Sequence, residues 1–294
     1  MSKVVEKRKV EIAVLSDIHL GTFGCQAKEV LAYLKSIDPE ILILNGDIID
    51  IWQFSKSYWP KAHMSVVREI LKMITQNKKI YYLAGNHDEM FRKFLGFKIL
   101  NFKIANKVVL NLNGKKAWFF HGDVFDVTIQ HSKWLAKIGG KGYDLLILIN
   151  SAVNWMSEKM GREKISISKR IKNGVKGAVK FINRFEQVAA DIAIDNGYDY
   201  VVCGHIHQPI IREIENSHGK VTYLNSGDWV ENSSSLEFNN GEWKLYRFEE
   251  DNLKVKDKKE FKKEEKNSKE IMSELLTEFN SMKMADESEI SEVL

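Results

Sequence analysis

Five of the eight histidines, His19, His87, His121, His205 and His207, stand in short polar stretches beside Asp17, Asp47, Asp50, Asn86, Asp88 and Asp123. Imidazole with carboxylate is a donor set that suits Mn, Fe or Zn, whereas Mg prefers oxygen. A single histidine in such a place is ordinarily structural. Five interleaved with acids are costly to gather in one cleft unless cations pair with them. The chemistry such a set supports is the binding of divalent cations.

Each polar stretch follows directly on a short apolar run. Residues 10–16 lead into Asp17 and His19, residues 41–44 into Asn45, Gly46 and Asp47, and residues 80–84 into Gly85, Asn86, His87 and Asp88. Residues 117–120 lead into His121, Gly122 and Asp123, residues 200–203 into Gly204, His205 and His207, and residues 221–224 into Asn225, Ser226 and Gly227. Continuous apolar runs bounded by Gly and Asp suit strands buried on both faces. In open α/β sheets, ligands bind at the strand carboxyl ends, so the six runs place their chemistry in one cleft. Between them, Val30, Leu31, Leu34 and Ile37 give helical spacing over 29–37 with a stop at Pro39, and Val67, Ile70, Leu71 and Ile74 give it over 66–74. Residues 221–224 and 243–248 read as late, hairpin-like strands. The expectation is an α/β (α+β layered) fold with sheets sandwiched between helices.

The chain of 294 residues, 44% hydrophobic and 29% charged, is long enough to bury a substantial core. Its 2 cysteines, Cys25 and Cys203, give no disulfide framework, and the opening MSKVVEKRKV lacks an apolar run of signal-peptide length. The chain therefore reads as cytoplasmic. Its net charge of +4 is unevenly spread. Between Val127 and Ala190, twelve Lys or Arg face four acids, an asymmetry that favours an anionic partner. Here 143–160 is apolar on more than one side, around Trp155, Met156 and Met160, yet is interrupted too early for a membrane span. Residues 166–184 alternate cations with Ile167, Ile171, Val175, Val179 and Ile182 as an amphipathic helix. Together these form a helical cap, 127–190, inserted into a core made of 1–126 and 191–250; an ordinary packed helical subdomain with solvated lysines is the other reading. The tail, 251–294, opens with Lys, Glu and Asp and reads there as a solvated single helix or disorder. Ile271, Met272, Leu275, Leu276, Phe279 and Met282 follow at helical spacing, fit for docking on the body, on a partner, or for fraying.

The polar stretches read DIH (17–19), GDIID (46–50), GNHD (85–88), HGD (121–123) and GHIH (204–207). In this order the five motifs resemble the calcineurin-like metallophosphoesterase family over roughly 10–248. The resemblance implies an αββα sandwich and a pair of metal ions. Asp17, His19 and His207 would hold one ion, Asn86, His121 and His205 the other, and Asp47 would bridge them. Two divalent cations against two carboxylates leave a surplus of positive charge for water and phosphate. The resemblance also makes His87 the catalytic histidine, which neutralises phosphoryl charge or protonates the leaving group, with Asp88 orienting it and Asp50 and Asp123 supporting ligands from behind.

Within that family, residues 46–54, 121–126 and 204–209, with the greasy and basic insert, resemble the UDP-2,3-diacylglucosamine pyrophosphatases of the lipid A pathway. That likeness implies release of UMP from a UDP-linked diacylated glucosamine at a site holding two divalent ions, most simply Mn, with Fe or Zn as substitutes. Acyl chains would meet the apolar stretch 143–160, which also suits peripheral contact with the inner membrane. Lys169, Arg170, Lys172 and Lys176 would meet the diphosphate, and Asp126 would contact substrate. Trp52 and Trp59 could border the cleft, packing being the plainer reading of each. Characterised members of the subgroup carry Arg at the position of His87. A nuclease or phosphodiesterase of other specificity would use the same metals and turn the basic cap toward nucleic acid, with a steep salt dependence; nucleic acid is not an obligate partner in the preferred reading. A non-catalytic scaffold would be expected to lose ligands that this chain keeps.

Overall fold

The computed structural model describes residues 7–52, 58–125, 168–251 and 253, with only the helix backbone given over 168–180. Asp126, the apolar stretch 143–160, the side chains of Lys169, Arg170, Lys172 and Lys176, and the tail from 254 lie outside the described residues.

The elements run β1 (Arg8–Leu15), α1 (Ala27–Ser36), β2 (Ile37–Asn45), α2 (Lys61–Thr75), β3 (Lys79–Leu83), β4 (Lys98–Ile99), β5 (Phe102–Ala105), β6 (Lys107–Leu112) and β7 (Lys115–Phe120). After α3 (Ser168–Asp195) come β8 (Tyr200–Cys203), β9 (Ile210–Asn216), β10 (Gly219–Asn225), β11 (Ser234–Asn239) and β12 (Glu242–Arg247). They build a seven-stranded sheet in the order β12-β11-β1-β2-β3-β5-β4 and a five-stranded sheet in the order β6-β7-β8-β10-β9. Strands β1, β2, β3 and β5 are parallel, as are β7, β8 and β10; antiparallel strands flank both runs.

Alternation along the strands sorts their side chains into layers. Ile12, Val14, Ile43 and Leu83 of one sheet meet Ala117, Phe119, Val202 and Leu224 of the other in the central core. The opposite parity on β7, β8 and β10, including Trp118, Phe120, Val201 and Tyr223, packs against Phe185, Ala189, Ala190 and Ala193 of α3. Leu15, Leu42, Leu44, Ile80 and Tyr82 of the seven-stranded sheet pack against α1 and α2. The result is the expected α/β sandwich of two mixed sheets between helices. Phe185 is fully buried, worth about 3 kcal/mol of transfer free energy, and so fixes α3 on its sheet.

Two local expectations need correction. The helix predicted over 29–37 starts at Ala27, ends at Ser36 and passes straight into β2, so that Pro39 lies inside a strand. Pro39 pairs with Val10 of β1, while pairing with β3 begins only at Ile41, so its missing N–H faces a stretch without a neighbour there. The second difference is in strand number. Strands β4, β5, β6, β9 and β11 carry charged, polar or half-exposed residues, so no continuous apolar run marks them in the sequence.

Candidate metal centre

The loops that follow β1, β2 and β3 meet those that follow β7, β8 and β10. Backbone hydrogen bonds stitch them: Asp17 N donates to Gly46 O (3.0 Å), His19 N to Asp47 O (2.9 Å), Gly204 N to His121 O (2.9 Å) and Trp229 N to Asp17 O (3.0 Å). Asp17, His19, Asp47, His205 and His207 all take left-handed conformations, with φ between 52° and 67°. Such backbone costs roughly 1 kcal/mol or more per residue and persists only where the surroundings over-determine it. Here it turns the side chain at each strand end back into the cleft. Gly46 and Gly85 permit the close approach: a Cβ on Gly46 would lie 2.2 Å from His121 Nδ1, and one on Gly85 2.3 Å from Asp47 Oδ1.

The donors fall into clusters. Asp17, His19 and His207 place one ligand atom each within 4.8 Å of one another, and so do Asp47, His121 and His205. Asp47 lies at the centre, with Oδ1 accepting from His87 N at 2.8 Å and Oδ2 at 3.3 Å from His121 Nε2 and 4.0 Å from His19 Nε2. His121 Nδ1 lies 2.8 Å from the carbonyl of Asn45, to which it can only donate. That puts a proton on Nδ1 and turns Nε2 toward the cleft, where it would ligate an ion once its own proton is displaced. His19 Nδ1 lies 3.5 Å from Asp50 and is steered in the same way.

These residues fit a pair of cations. His19 Nε2 and Asn86 Oδ1 are sealed from solvent and make no hydrogen bond among the described residues, while the equally buried Asp17 Oδ1 and His121 Nε2 meet only other candidate ligands, His207 Nε2 at 3.1 Å and Asp47 Oδ2 at 3.3 Å. Leaving such atoms unsatisfied costs about 1–3 kcal/mol each, and they belong to both clusters and to Asn86. Asp17, Asp47, Asp50 and Asp88 are all buried close by, so the cleft concentrates negative charge. The imidazoles respond to it. Burial alone lowers His207, but Asp17, 3.1 Å away, and Asp228 push it up to about 9. His121 rises well above the usual range against its own burial, through Asp47. Burial raises the Asp17 carboxyl, but the charge and hydrogen bond of His207, with the charge of His121, bring it down to about 2. The geometry demands positive charge, which two ions would supply.

The carboxylate set against His87 is Asp50, at 2.8 Å from Nδ1, and not Asp88 as the motif reading expects. Asp88 accepts from Gly85 N (2.6 Å), Ile48 N (2.9 Å) and the Tyr82 hydroxyl (2.5 Å), so it shapes the GNHD loop instead. Asp123 accepts from Arg92 (2.6 Å), which also reaches Ala84 O. Trp52 is exposed with its ring 4.9 Å from that of His87, while Trp59 packs on His63. A cavity of about 360 Å³ opens beside His87, lined by Ile51, Trp52, Met90, Arg92 and Lys93 with Glu89. The motifs give no sign of Asp228, which is buried, accepts from Val230 N and Glu231 N, and lies 3.7 Å from His207 Nδ1. Its only signal is the polar run that begins at Asn225 after β10. Asn225 itself donates to Gly204 O and holds the GHIH loop.

The calcineurin-like phosphoesterase family profile matches residues 10–209, well over half of the chain. The chain belongs to this family. Within the family it is 23% identical over 248 residues to the UDP-2,3-diacylglucosamine hydrolase of Blochmanniella pennsylvanica, covering 78% of this chain and 92% of that one. To the enzyme of the same name from Aliivibrio fischeri it is 21% identical over 255 residues, covering 81% and 98%. Among solved structures, the E. coli phosphoesterase Yfce aligns with a TM-score of 0.41 at 15% identity, covering 83% of this chain and 95% of that one. Family membership and the two His/Asp clusters make this chain a metal-dependent phosphoesterase. No helix among the described residues is long and apolar enough to cross a membrane.

Proposed function

We propose that the chain hydrolyses the diphosphate of a UDP-linked diacylated glucosamine at a two-metal centre, releasing UMP and the acylated sugar 1-phosphate. The observation that carries the hydrolytic part is the pair of His/Asp clusters Asp17, His19, His207 and Asp47, His121, His205, with sealed donor atoms in both. Asp17, His19 and His207 would hold one ion, Asn86, His121 and His205 the other, and Asp47 both; Mn, Fe and Zn suit that mixture of nitrogen and oxygen. When bound, the ions supply the positive charge that activates water and steadies the phosphoryl oxygens.

The chain's own residues do the rest. His87 is held at Nδ1 by Asp50, and although burial lowers its pKa, Asp50 and Asp47 raise it overall. The bond to Asp50 orients the ring so that it could give a proton to a phosphoryl oxygen or the departing group. The cavity beside it brings Arg92 and Lys93 near the path of an anionic substrate. The substrate rests on likeness to the named hydrolases and on the basic and apolar character of 127–190, where Lys169, Arg170, Lys172 and Lys176 would meet the diphosphate, and Asp126 would contact the substrate.

The test is to incubate the purified chain and manganese with the UDP-linked diacylated sugar, with UDP-sugars lacking acyl chains, and with single-stranded DNA. UMP release from the first alone is the expected result. Equal turnover of all three would leave a phosphodiesterase of broad specificity and end the lipid reading.

A further inference from the structure

The helix-bearing face of the seven-stranded sheet has an open lane. Helices α1 and α2 lie side by side on it. Packed helices are about 8–10 Å apart and strands about 4.8 Å, so two helices cover roughly four strands. Over β3, β5 and β4, beyond α2, there is instead a groove of about 480 Å³ to which no polar atom is exposed. Val67, Leu71 and Ile74 of α2 form one wall, Phe94 and Phe97 the other, and Phe102 lies on the floor. Phe94 and Phe97 stay exposed at its rim. All the exposed charges of α2 are cationic, namely Lys61, Arg68 and Lys72; its one acid, Glu69, is buried.

We propose that residues 270–282 of the same chain form an amphipathic helix that fills this lane as a third helix of the layer. On a helical projection Ile271, Leu275, Phe279 and Met282 share one stripe, widened by Met272 and Leu276. Glu270, Glu274 and Glu278 run along one edge of that stripe at four-residue spacing, which matches the spacing of Arg68 and Lys72 on α2. The chain also leaves the body on the correct face. Tyr246 packs on Tyr33 of α1, and Phe248 packs on Trp229 in the core beneath the helices. From there the charged stretch 254–270 spans about 25 Å as a helix and about 55 Å when extended. The crossing over α1 and α2 is roughly 20 Å. The proposal does not rest on the substrate reading, and holds or fails without any assay of turnover.

The test uses the full chain with Leu275→Cys and Phe97→Cys together. Burial pushes the native thiols Cys25 and Cys203 upward in pKa, so they compete little under mild oxidation. A disulfide within one chain, in most molecules at micromolar concentration, is expected, with little linkage in a control pairing Leu275→Cys with Lys116→Cys on the far sheet. Linkage between chains would make the occupant a second copy and overturn the proposal, as would equal linkage in the control. Hydrogen exchange on the unmodified chain gives a second measure. The amides of 271–282 are expected to exchange at least tenfold slower than an unfolded segment, and to lose that protection in Glu274→Lys/Glu278→Lys. Unprotected amides would overturn the proposal, and full-stoichiometry binding of dansyl-undecanoic acid in the unmodified chain that the charge reversal does not change would show the groove serving an acyl chain instead.

Discussion

The two walls of the metal cleft are built from different chemistry. The loops of the seven-stranded sheet contribute Asp17, Asp47, Asp50 and Asp88, none more than 2% exposed. Those of the five-stranded sheet contribute His121, His205 and His207, two of which stay partly open to solvent. The first wall also carries His19, Asn86 and His87, and the second Asp123 and buried Asp228, so the contrast is one of proportion: acids outnumber imidazoles on the first and imidazoles outnumber acids on the second. Imidazoles of the second wall answer carboxylates of the first, His207 against Asp17 and His121 against Asp47.

Substitution at Asp47 gives the widest separation. Asp47→Asn is expected to cut metal-dependent turnover on the order of a thousandfold. In chelator the same variant is expected to melt about 2 °C or more below the parent: burial raises the Asp47 carboxyl, but His121, His19 and His87 hold it well below its usual range, and that attraction is lost. Elemental analysis and thermal melts in EDTA check both, and a higher chelated melting temperature would mean that the carboxylates repel one another more than the imidazoles hold them. His205→Asn, on the other wall, is expected to lose about a hundredfold in turnover with little change in chelated stability. A loss of stability equal to that of Asp47→Asn would mean that the walls are equivalent. Asp50→Asn is expected to lower kcat about tenfold with both metals retained, and to add little to His87→Ala if the pair acts as a unit. Full additivity would separate the two residues.

The smallest effect lies behind the anionic wall. His63 of α2 accepts from Gly21 N at 2.9 Å, and burial lowers its pKa to about 4. An unfolded histidine titrates near 6.5, so between these values the unfolded chain takes up a proton that the folded chain refuses. The stability present above pH 6.5 is lost as pH falls toward 4, on the order of 2 kcal/mol. Urea denaturation of chelated protein at pH 7.5 and pH 5 is expected to show a smaller drop in His63→Gln than in the parent; identical drops would remove this role.

Much of the fold is legible because six strands are buried on both faces and read as apolar runs. Half-exposed strands such as β6, KVVLNL, and β9, IIREIEN, keep apolar residues on one face only and merge with polar surroundings. Pro39 misleads for a related reason: whether a proline stops a helix or opens a strand depends on which neighbour its missing N–H faces. At the site, the motifs identify the donors because each follows a strand end. Their partnerships are another matter. Asp50 pairs with His87 across the gap between two loops, and Asp228 reaches His207 from a loop that carries no motif; both depend on three-dimensional closure, which spacing along the chain does not encode.

The left-handed turns at Asp17, His19, Asp47, His205 and His207, pinned by amide-to-carbonyl bonds between loops, bear on how metal arrives. A cradle whose backbone is already ordered does not have to condense around its cargo, in contrast to small zinc domains that fold only as they fill. Loading should then be a diffusive capture event, and stripping with a chelator should leave a protein that recovers its ions on simple readdition, with no refolding lag.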